Sequence, residues 1–161
     1  MTGLIQTKEE PPMATKSRTK SDIRRIIIHC SDSEFGSKKI IDGWHRERGW
    51  SGIGYHYVIN NGHPVSIHRK GFDQEWDGKL EEGRPWHEAG AHAKGHNHDS
   101  LGICLIGNHH FTFMQFYRLH VLIRSLRIKY PIIEIVAHNL LNPHKTCPNF
   151  DVDKFLGLTQ V

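Results

Sequence analysis

The chain has 161 residues, 37% of them hydrophobic and 24% charged, a balance typical of a globular domain and not of a disordered or fibrous protein. Its formal net charge of +4 fits an anionic partner, such as nucleic acid or a charged cell-wall polymer. No stretch approaches the ~20 consecutive apolar residues that a membrane-spanning helix needs, which argues against an integral membrane protein.

The N-terminal residues 1–22 are polar and contain the strings KEEPP and TKSRTKS. A segment of this composition cannot bury a hydrophobic core. We therefore predict a flexible arm at 1–22 and a single folded domain at 23–161. The arm has no apolar segment of the kind found in signal peptides, so we expect a protein that is cytoplasmic at synthesis.

Strands and helices alternate along the predicted domain. Four predicted strands are short β-branched or apolar runs, at 24–30, 54–60, 100–108 and 132–138. The segment 79–85 is predicted as a further short strand. Residues 63–78 have no clear periodicity and form an irregular excursion, which we expect at one rim of a binding cleft. The alternation predicts an α/β fold, in which one domain contains a central mixed β-sheet flanked by helices.

Helices are predicted at 37–49, at 112–130 and, as a short segment, after Asp151. The second is the clearest, because Thr112 and Gln115 make a capping box at its start. Its apolar residues recur at helical spacing and should face the core: Phe116, Leu119, Ile123, Leu126 and Tyr130.

The chain contains 14 histidines, and histidine is both the commonest metal ligand and a group that titrates near neutral pH. It also contains three cysteines, and an odd number argues against a disulfide framework. Cys30 and Cys104 lie inside apolar strands, so we interpret both as core residues. Cys147 lies in a proline-containing loop and is available for chemistry.

A candidate metal site lies where the predicted strands end. His29 ends the first buried strand and His138 the last, and ligand sites in open α/β sheets favour the carboxyl ends of strands. Cys147 follows His138 after a loop that can fold back. Two imidazoles and one thiolate are a sensible zinc set that leaves a fourth position for water. His56 and His144 remain alternative ligands, and a strand-end histidine can also be a hydrogen-bonded packing residue.

Lys145 and Tyr55 are candidates for the remaining chemistry of such a site. Lys145 is two positions before Cys147, so in an extended segment both side chains face one side, where an ammonium can stabilise an oxyanion. Tyr55 begins the predicted strand at 54–60 and can bring its phenol to the same edge. A solvated surface lysine and a tyrosine at the edge of the core are the simpler interpretations.

Several strings occur together in one order along the chain: IIIHCSDS, WHRERGW, GYHYVI, GAHAKGHNHDSLGICLIGN, AH and KTCPNFD. Together they resemble the zinc-dependent N-acetylmuramoyl-L-alanine amidases, the family of the amidase-type phage lysozymes and the peptidoglycan recognition proteins. The resemblance covers about residues 24–155. It implies a mixed sheet flanked by helices and one Zn²⁺ ion in a surface cleft.

The resemblance also implies roles for individual residues. The zinc ligands would be His29, His138 and Cys147. The catalytic pair would be Tyr55 and Lys145. The string GAHAKGHN matches the wall of the substrate cleft, and its implied substrate contacts are His92, Lys94 and Asn97. The implied substrate is peptidoglycan, or a muropeptide, cleaved at the amide between the lactyl group of N-acetylmuramic acid and L-alanine.

A phage or prophage endolysin is the biological role that fits these implications. Such a bacteriolytic, antimicrobial enzyme would be made in the cytoplasm and would act on the cell wall after release. We expect a monomer without a specific nucleic-acid partner, because the sequence has no base-reading motif. The alternatives are a non-catalytic peptidoglycan-binding module and a bacterial cell-wall recycling amidase.

Overall fold

A five-stranded sheet forms the centre of the computed structural model, which describes residues 17–159. The strands are β1 (Arg25–Cys30), β2 (Tyr57–Asn61), β3 (Asp77–Glu82), β4 (Ser100–Leu105) and β5 (Glu134–Ala137). Their order across the sheet is β3-β2-β4-β1-β5. The pairs β2–β4, β4–β1 and β1–β5 are parallel, whereas β2 and β3 are antiparallel. The predicted mixed sheet is therefore confirmed.

In the described part of the chain four α-helices accompany the sheet: α1 (Lys38–Glu47), α2 (Phe113–Lys129), α3 (His138–Leu141) and α4 (Val152–Thr159). The capping box predicted for α2 is present, because the Gln115 N–H donates to Thr112 Oγ1 and the Thr112 N–H donates to Gln115 Oε1. Within residues 17–159, none of the helices combines the length and the apolar character required to cross a membrane.

Helices cover both faces of the sheet. On one face α2 and α4 pack over the larger core, to which Leu119, Ile123 and Phe155 contribute. On the other face α1 places Ile41 in a smaller core with Cys104. Because β1 and β4 are covered on both sides, their residues are almost all buried, as their continuous apolar sequence predicts.

Most elements begin or end one to three residues away from the predicted position, and two of these differences affect functional residues. β2 begins at Tyr57, so Tyr55 precedes this strand instead of beginning it. The carbonyl of Gly54 instead accepts a hydrogen bond from the Ala91 N–H of a neighbouring loop. His138 does not end β5 but is the first residue of α3.

The predicted N-terminal arm is described only in part, because residues 1–16 lie outside the described residues. For residues 17–22 the structure differs from the prediction. Arg18 is only 2% exposed, and Lys20–Asp22 form a turn of 3-10 helix. The charged composition of this segment predicts exposure to solvent, but the guanidinium of Arg18 donates hydrogen bonds to buried carbonyl oxygens. The packed part of the chain therefore includes Arg18.

Candidate metal centre and active-site cleft

The structure brings together the three residues that the sequence analysis proposed as metal ligands. One ligand atom from each of His29, His138 and Cys147 lies within 4.8 Å of the other two. The parallel pairing of β1 with β5 produces this convergence, because His29 lies near the end of β1 and His138 follows the last residue of β5. The centroids of the two imidazole rings are 4.4 Å apart.

Cys147 reaches this pair because its loop folds back onto the sheet edge. The Asn139 N–H donates to the carbonyl of Cys147 at 2.9 Å, which holds the loop against the start of α3. The Cys30 N–H donates to Cys147 Sγ at 3.1 Å. Two residues further on, Asn149 Nδ2 donates to the carbonyl of Asn108 at 2.8 Å. Backbone and side-chain hydrogen bonds thus fix the sulfur beside β1.

His29 has the surroundings expected of a metal ligand. Its side chain is 1% exposed, and its Nε2 lies 3.0 Å from Nδ1 of His92. Its Nδ1 is buried and has no hydrogen-bond partner among the described residues. Buried polar atoms without partners are rare, so this nitrogen is the one suited to a metal ion. A neighbour that binds the second ring nitrogen is typical of metal-bound histidine.

Electrostatics keep both imidazoles in the form that binds metal. Burial, with a smaller contribution from His138, lowers the pKa of His29 well below its ordinary value. Burial and the nearby charge of Lys145 lower the pKa of His138. A hydrogen bond with the side chain of Cys30, together with burial, raises the pKa of the Cys147 thiol, so metal binding there must displace a proton. The donor set of two neutral imidazoles and one thiol fits zinc.

A cleft of about 470 Å³ lies beside these ligands. Its lining includes the proposed catalytic pair, Tyr55 and Lys145. The Tyr55 ring lies 5.0 Å from the His29 ring, and burial raises the pKa of its phenol well above the ordinary value. The phenol therefore stays protonated and can donate a hydrogen bond near neutral pH. Lys145 is exposed and can present its ammonium to a substrate.

The three residues proposed to contact substrate also line this cleft, but their surroundings differ. Asn97 has an internal function, because its Oδ1 accepts the N–H groups of His92 and Ala93, each at 2.9 Å. His92 lies against His29 and supports a proposed ligand as well as facing the cleft. Lys94 is exposed and has the freedom expected of a group that binds substrate.

The alternative ligands lie elsewhere. His56 is buried, and its ring nitrogens contact the Gly102 N–H and the Arg18 guanidinium. His144 is exposed on the loop before Cys147. Among residues 17–159, neither belongs to the cluster of potential metal-binding side chains.

Sequence reasoning missed several residues of the cleft. His45, Arg48 and Trp50 line its wall, and all three lie in the string WHRERGW, which the analysis used only for the resemblance. The excursion at 63–78 was expected to shape a rim of this cleft. Instead, its described residues contribute to a separate cavity of about 660 Å³, together with the loop 107–112.

Comparisons with known proteins find similarity along most of the chain. Residues 19–150 match the N-acetylmuramoyl-L-alanine amidase family. The endolysin of Escherichia phage T7 is 34% identical over 151 residues, which cover 87% of this chain and 88% of that protein. The solved N-acetylmuramoyl-L-alanine amidase LysC from Clostridium intestinale URNW has a TM-score of 0.74 and 28% identity, and the match covers 95% of each chain.

A more distant solved structure, AmpDh3 from Pseudomonas aeruginosa in complex with an anhydromuramic pentapeptide, shares the fold. Its TM-score is 0.65 at 14% identity, over all of this chain and 67% of that chain. Since the family match spans most of the sequence and includes the residues of the cleft, the chain belongs to the N-acetylmuramoyl-L-alanine amidase family.

Proposed function

We propose that this chain is a zinc-dependent endolysin that hydrolyses the amide bond between N-acetylmuramic acid and L-alanine in peptidoglycan. Membership of the amidase family makes it an N-acetylmuramoyl-L-alanine amidase, and its similarity to the phage T7 endolysin supports the lytic role. The observation that carries the residue assignments is the convergence of His29, His138 and Cys147 beside a cleft lined by Tyr55 and Lys145.

Zinc is the metal that this donor set favours. Three protein ligands with a fourth position left open are characteristic of catalytic zinc sites, whereas structural sites use four. Bound there, a zinc ion would supply Lewis acidity, which activates water and polarises the amide carbonyl. The buried, unpartnered Nδ1 of His29 and the Nε2 contact with His92 support coordination through Nδ1.

The protein's own side chains supply the remaining chemistry. The ammonium of Lys145 can donate to the carbonyl oxygen as negative charge develops there. The protonated phenol of Tyr55 can orient the attacking water and assist proton transfer. Both groups line the cleft, so a substrate bound there can meet both donors.

Peptidoglycan or a muropeptide is the substrate class that fits the cleft. The loop 90–99 forms one wall, and Lys94 on that wall offers a cation to a peptide carboxylate. A related fold has been solved with an anhydromuramic pentapeptide bound, which supports the same class of ligand for this chain. Relatives that match most of the chain are phage endolysins, and we propose that this enzyme acts on the cell wall after release.

Two alternatives predict different behaviour. A non-catalytic binding module would lack part of the hydrolytic set, whereas this chain has Cys147, Tyr55 and Lys145 at one cleft. A recycling amidase would prefer soluble muropeptide fragments to intact wall. Turnover of intact sacculi measured against that of soluble muropeptides separates the recycling role from the lytic role.

The central test is digestion of purified peptidoglycan by the full chain, with zinc and with a chelator. We expect new L-alanine amino termini without new reducing sugars, loss of this activity with chelator, and recovery when zinc is added back. New reducing sugars would identify a glycosidase and contradict the proposal. Activity that survives complete metal removal would reject the zinc assignment while leaving the amidase assignment intact.

A further inference from the structure

Arg18 lies in the segment that the sequence predicted to be flexible, yet its guanidinium is buried among carbonyl oxygens. The side chain is 2% exposed, although arginine is seldom buried without partners. Nε donates to the carbonyl of Trp86 at 2.6 Å. Nη1 lies within hydrogen-bond distance of three further carbonyls, those of Asn97 at 3.1 Å, His98 at 2.9 Å and Ser100 at 2.6 Å.

These carbonyls lie before, within and after the loop 90–99. Trp86 precedes the loop, and Ser100 begins β4 immediately after it. The backbone N–H of Arg18 also donates to the carbonyl of His87 at 3.1 Å. A planar guanidinium carries five N–H donors in a rigid fork. Arg18 can therefore hold both ends of the loop at once, which a side chain with one donor atom cannot do.

The loop fixed in this way has contacts that lead to the proposed metal centre. Asn97, one of the residues whose carbonyl accepts from Arg18, uses its Oδ1 to hold the N–H of His92. His92 Nδ1 in turn lies 3.0 Å from Nε2 of His29. The same loop places Lys94 at the cleft wall. A series of direct contacts thus connects Arg18 with the cleft.

The charge of Arg18 persists despite its burial. Burial lowers its pKa to about 10, while neighbouring acidic groups and Tyr130 oppose that effect. The side chain therefore stays protonated near neutral pH, and its hydrogen bonds to carbonyls are of the stronger, charge-assisted kind.

We infer that Arg18 is a positioning residue of the amidase, whose guanidinium fixes the loop 90–99 as the substrate-binding wall and thereby holds His92 against His29. The inference rests on the proposed function, because it assigns Arg18 a role in substrate binding at that same cleft. Arg18 itself does not line the cleft, so it acts through the loop and not on the substrate.

The experiment compares Arg18→Gln and Arg18→Lys in the full chain. Arg24→Gln is the matched control, since Arg24 is a nearby exposed arginine. Leu122→Ala is the stability control, because Leu122 packs in the larger core on α2. The thermal midpoint of each variant is measured first. KM and kcat on soluble muropeptide and zinc affinity are then measured at a temperature well below the midpoint of the least stable protein.

We expect both Arg18 variants to lose about 10- to 100-fold in kcat/KM, the range typical of lost supporting contacts at a metal site. The loss should appear in KM and in zinc affinity, because the loop carries both the substrate-binding wall and His92, whereas Tyr55 and Lys145 lie on other segments and keep their places. Lysine should not restore activity, since one ammonium cannot span the separated carbonyls.

Three results would overturn the inference. The first is unchanged KM in a folded Arg18→Gln or Arg18→Lys protein. The second is a loss in Arg18→Lys no larger than that of Leu122→Ala at an equal drop in thermal midpoint, which would make Arg18 a purely structural residue. The third is an effect of Arg24→Gln as large as that of Arg18→Gln. Failure of the wild-type chain to release L-alanine termini would instead refute the proposed function.

Discussion

At the scale of single residues, the cleft depends on side chains that keep one protonation state near neutral pH. The lowered pKa values of His29 and His138 leave both imidazoles neutral, with lone pairs available for a metal. The raised pKa of Tyr55 leaves its phenol with a proton to donate. Lys145 is exposed and cationic. The cleft therefore has both electron-pair donors and proton donors at its lining.

The first prediction concerns the proposed catalytic pair. We expect Tyr55→Phe and Lys145→Ala to keep the fold and the bound zinc but to lose roughly 10²–10³ in kcat, the usual effect of removing one donor to a developing oxyanion. Kinetics on muropeptide and metal analysis check this. Lys129→Ala, at an exposed lysine on α2, should behave as wild type. Full activity in either test variant would reject the role of that residue.

The second prediction concerns the proposed sulfur ligand. In Cys147→Ser the hydroxyl is a poor zinc ligand, so zinc affinity should fall by more than the roughly 10- to 100-fold typical of a lost supporting contact. Zinc should raise the thermal midpoint of the wild type by mass action but not that of the variant. Cys104→Ala is the control, because this buried cysteine lies outside the ligand cluster. Unchanged zinc stoichiometry and affinity in Cys147→Ser would rule out the assignment.

The residues of the cleft differ in how far sequence reasoning could find them. His29 and His138 flank buried strands, and such positions converge at the carboxyl edge of a parallel sheet. The contact of His92 with His29 joins residues 63 positions apart and has no counterpart in local spacing. The burial of Arg18 was missed because composition indicates only the average exposure of a segment. This burial depends on hydrogen bonds to four specific carbonyls.

At the scale of elements, the close approach of β4 to the loop 90–99 decides where the supporting histidine lies. Gly102 is the residue of β4 that faces His92. A Cβ atom at Gly102 would lie 2.6 Å from the His92 ring, a distance that real contacts do not reach. Glycine inside a strand often marks such a close approach. Here it gives the imidazole room to lie against His29.

The third prediction follows from that approach. We expect Gly102→Ala to push His92 away from His29 and to weaken zinc binding by about 10-fold, as other lost supporting contacts do. Zinc titration against a competing chelator checks this. Gly43→Ala is the matched control, since a Cβ there meets no atom within 4 Å in the middle of α1. It should stabilise the protein by up to ~1 kcal/mol and leave zinc affinity unchanged. Wild-type zinc affinity in Gly102→Ala would contradict the prediction.

The elements themselves were largely predictable, and the exceptions have physical causes. α2 has a capping box and a periodic apolar face, and both signals are local. α3 has only four residues, too few for a helical period to register. Residues 54–56 have strand-like composition, but a loop distant in sequence supplies part of their hydrogen bonding. The predicted boundaries were therefore wrong where hydrogen bonds to distant loops replaced those between neighbouring strands.

At the scale of the whole molecule, buried neutral histidines link stability to pH. His56 is 1% exposed, and burial followed by the charge of Arg18 lowers its pKa from 6.5 to about 3. The unfolded chain takes up this proton near pH 6.5, whereas the folded chain resists it until about pH 3. Between these values the unfolded state binds more protons, so the free energy of unfolding falls as the pH falls.

The fourth prediction tests this linkage. We expect the free energy of unfolding, measured by urea at several pH values, to decrease from pH 6.5 towards pH 3. His56 should contribute a slope of at most ~1.4 kcal/mol per pH unit. His56→Gln should reduce the slope by part or all of that amount, whatever its effect on stability at pH 7. Leu122→Ala, which removes no titratable group, should leave the slope unchanged, and an equal slope in His56→Gln and wild type would contradict the linkage.

The contact between Cys30 and Cys147 joins positions 117 residues apart, and it has a consequence for the timing of activity. A ribosome adds Cys147 only after it has added His29 and His138. A nascent chain that ends between residues 138 and 146 holds two of the three proposed zinc donors and lacks the sulfur. A peptidoglycan-degrading enzyme would thus gain its hydrolytic capacity only after residue 147 has been added.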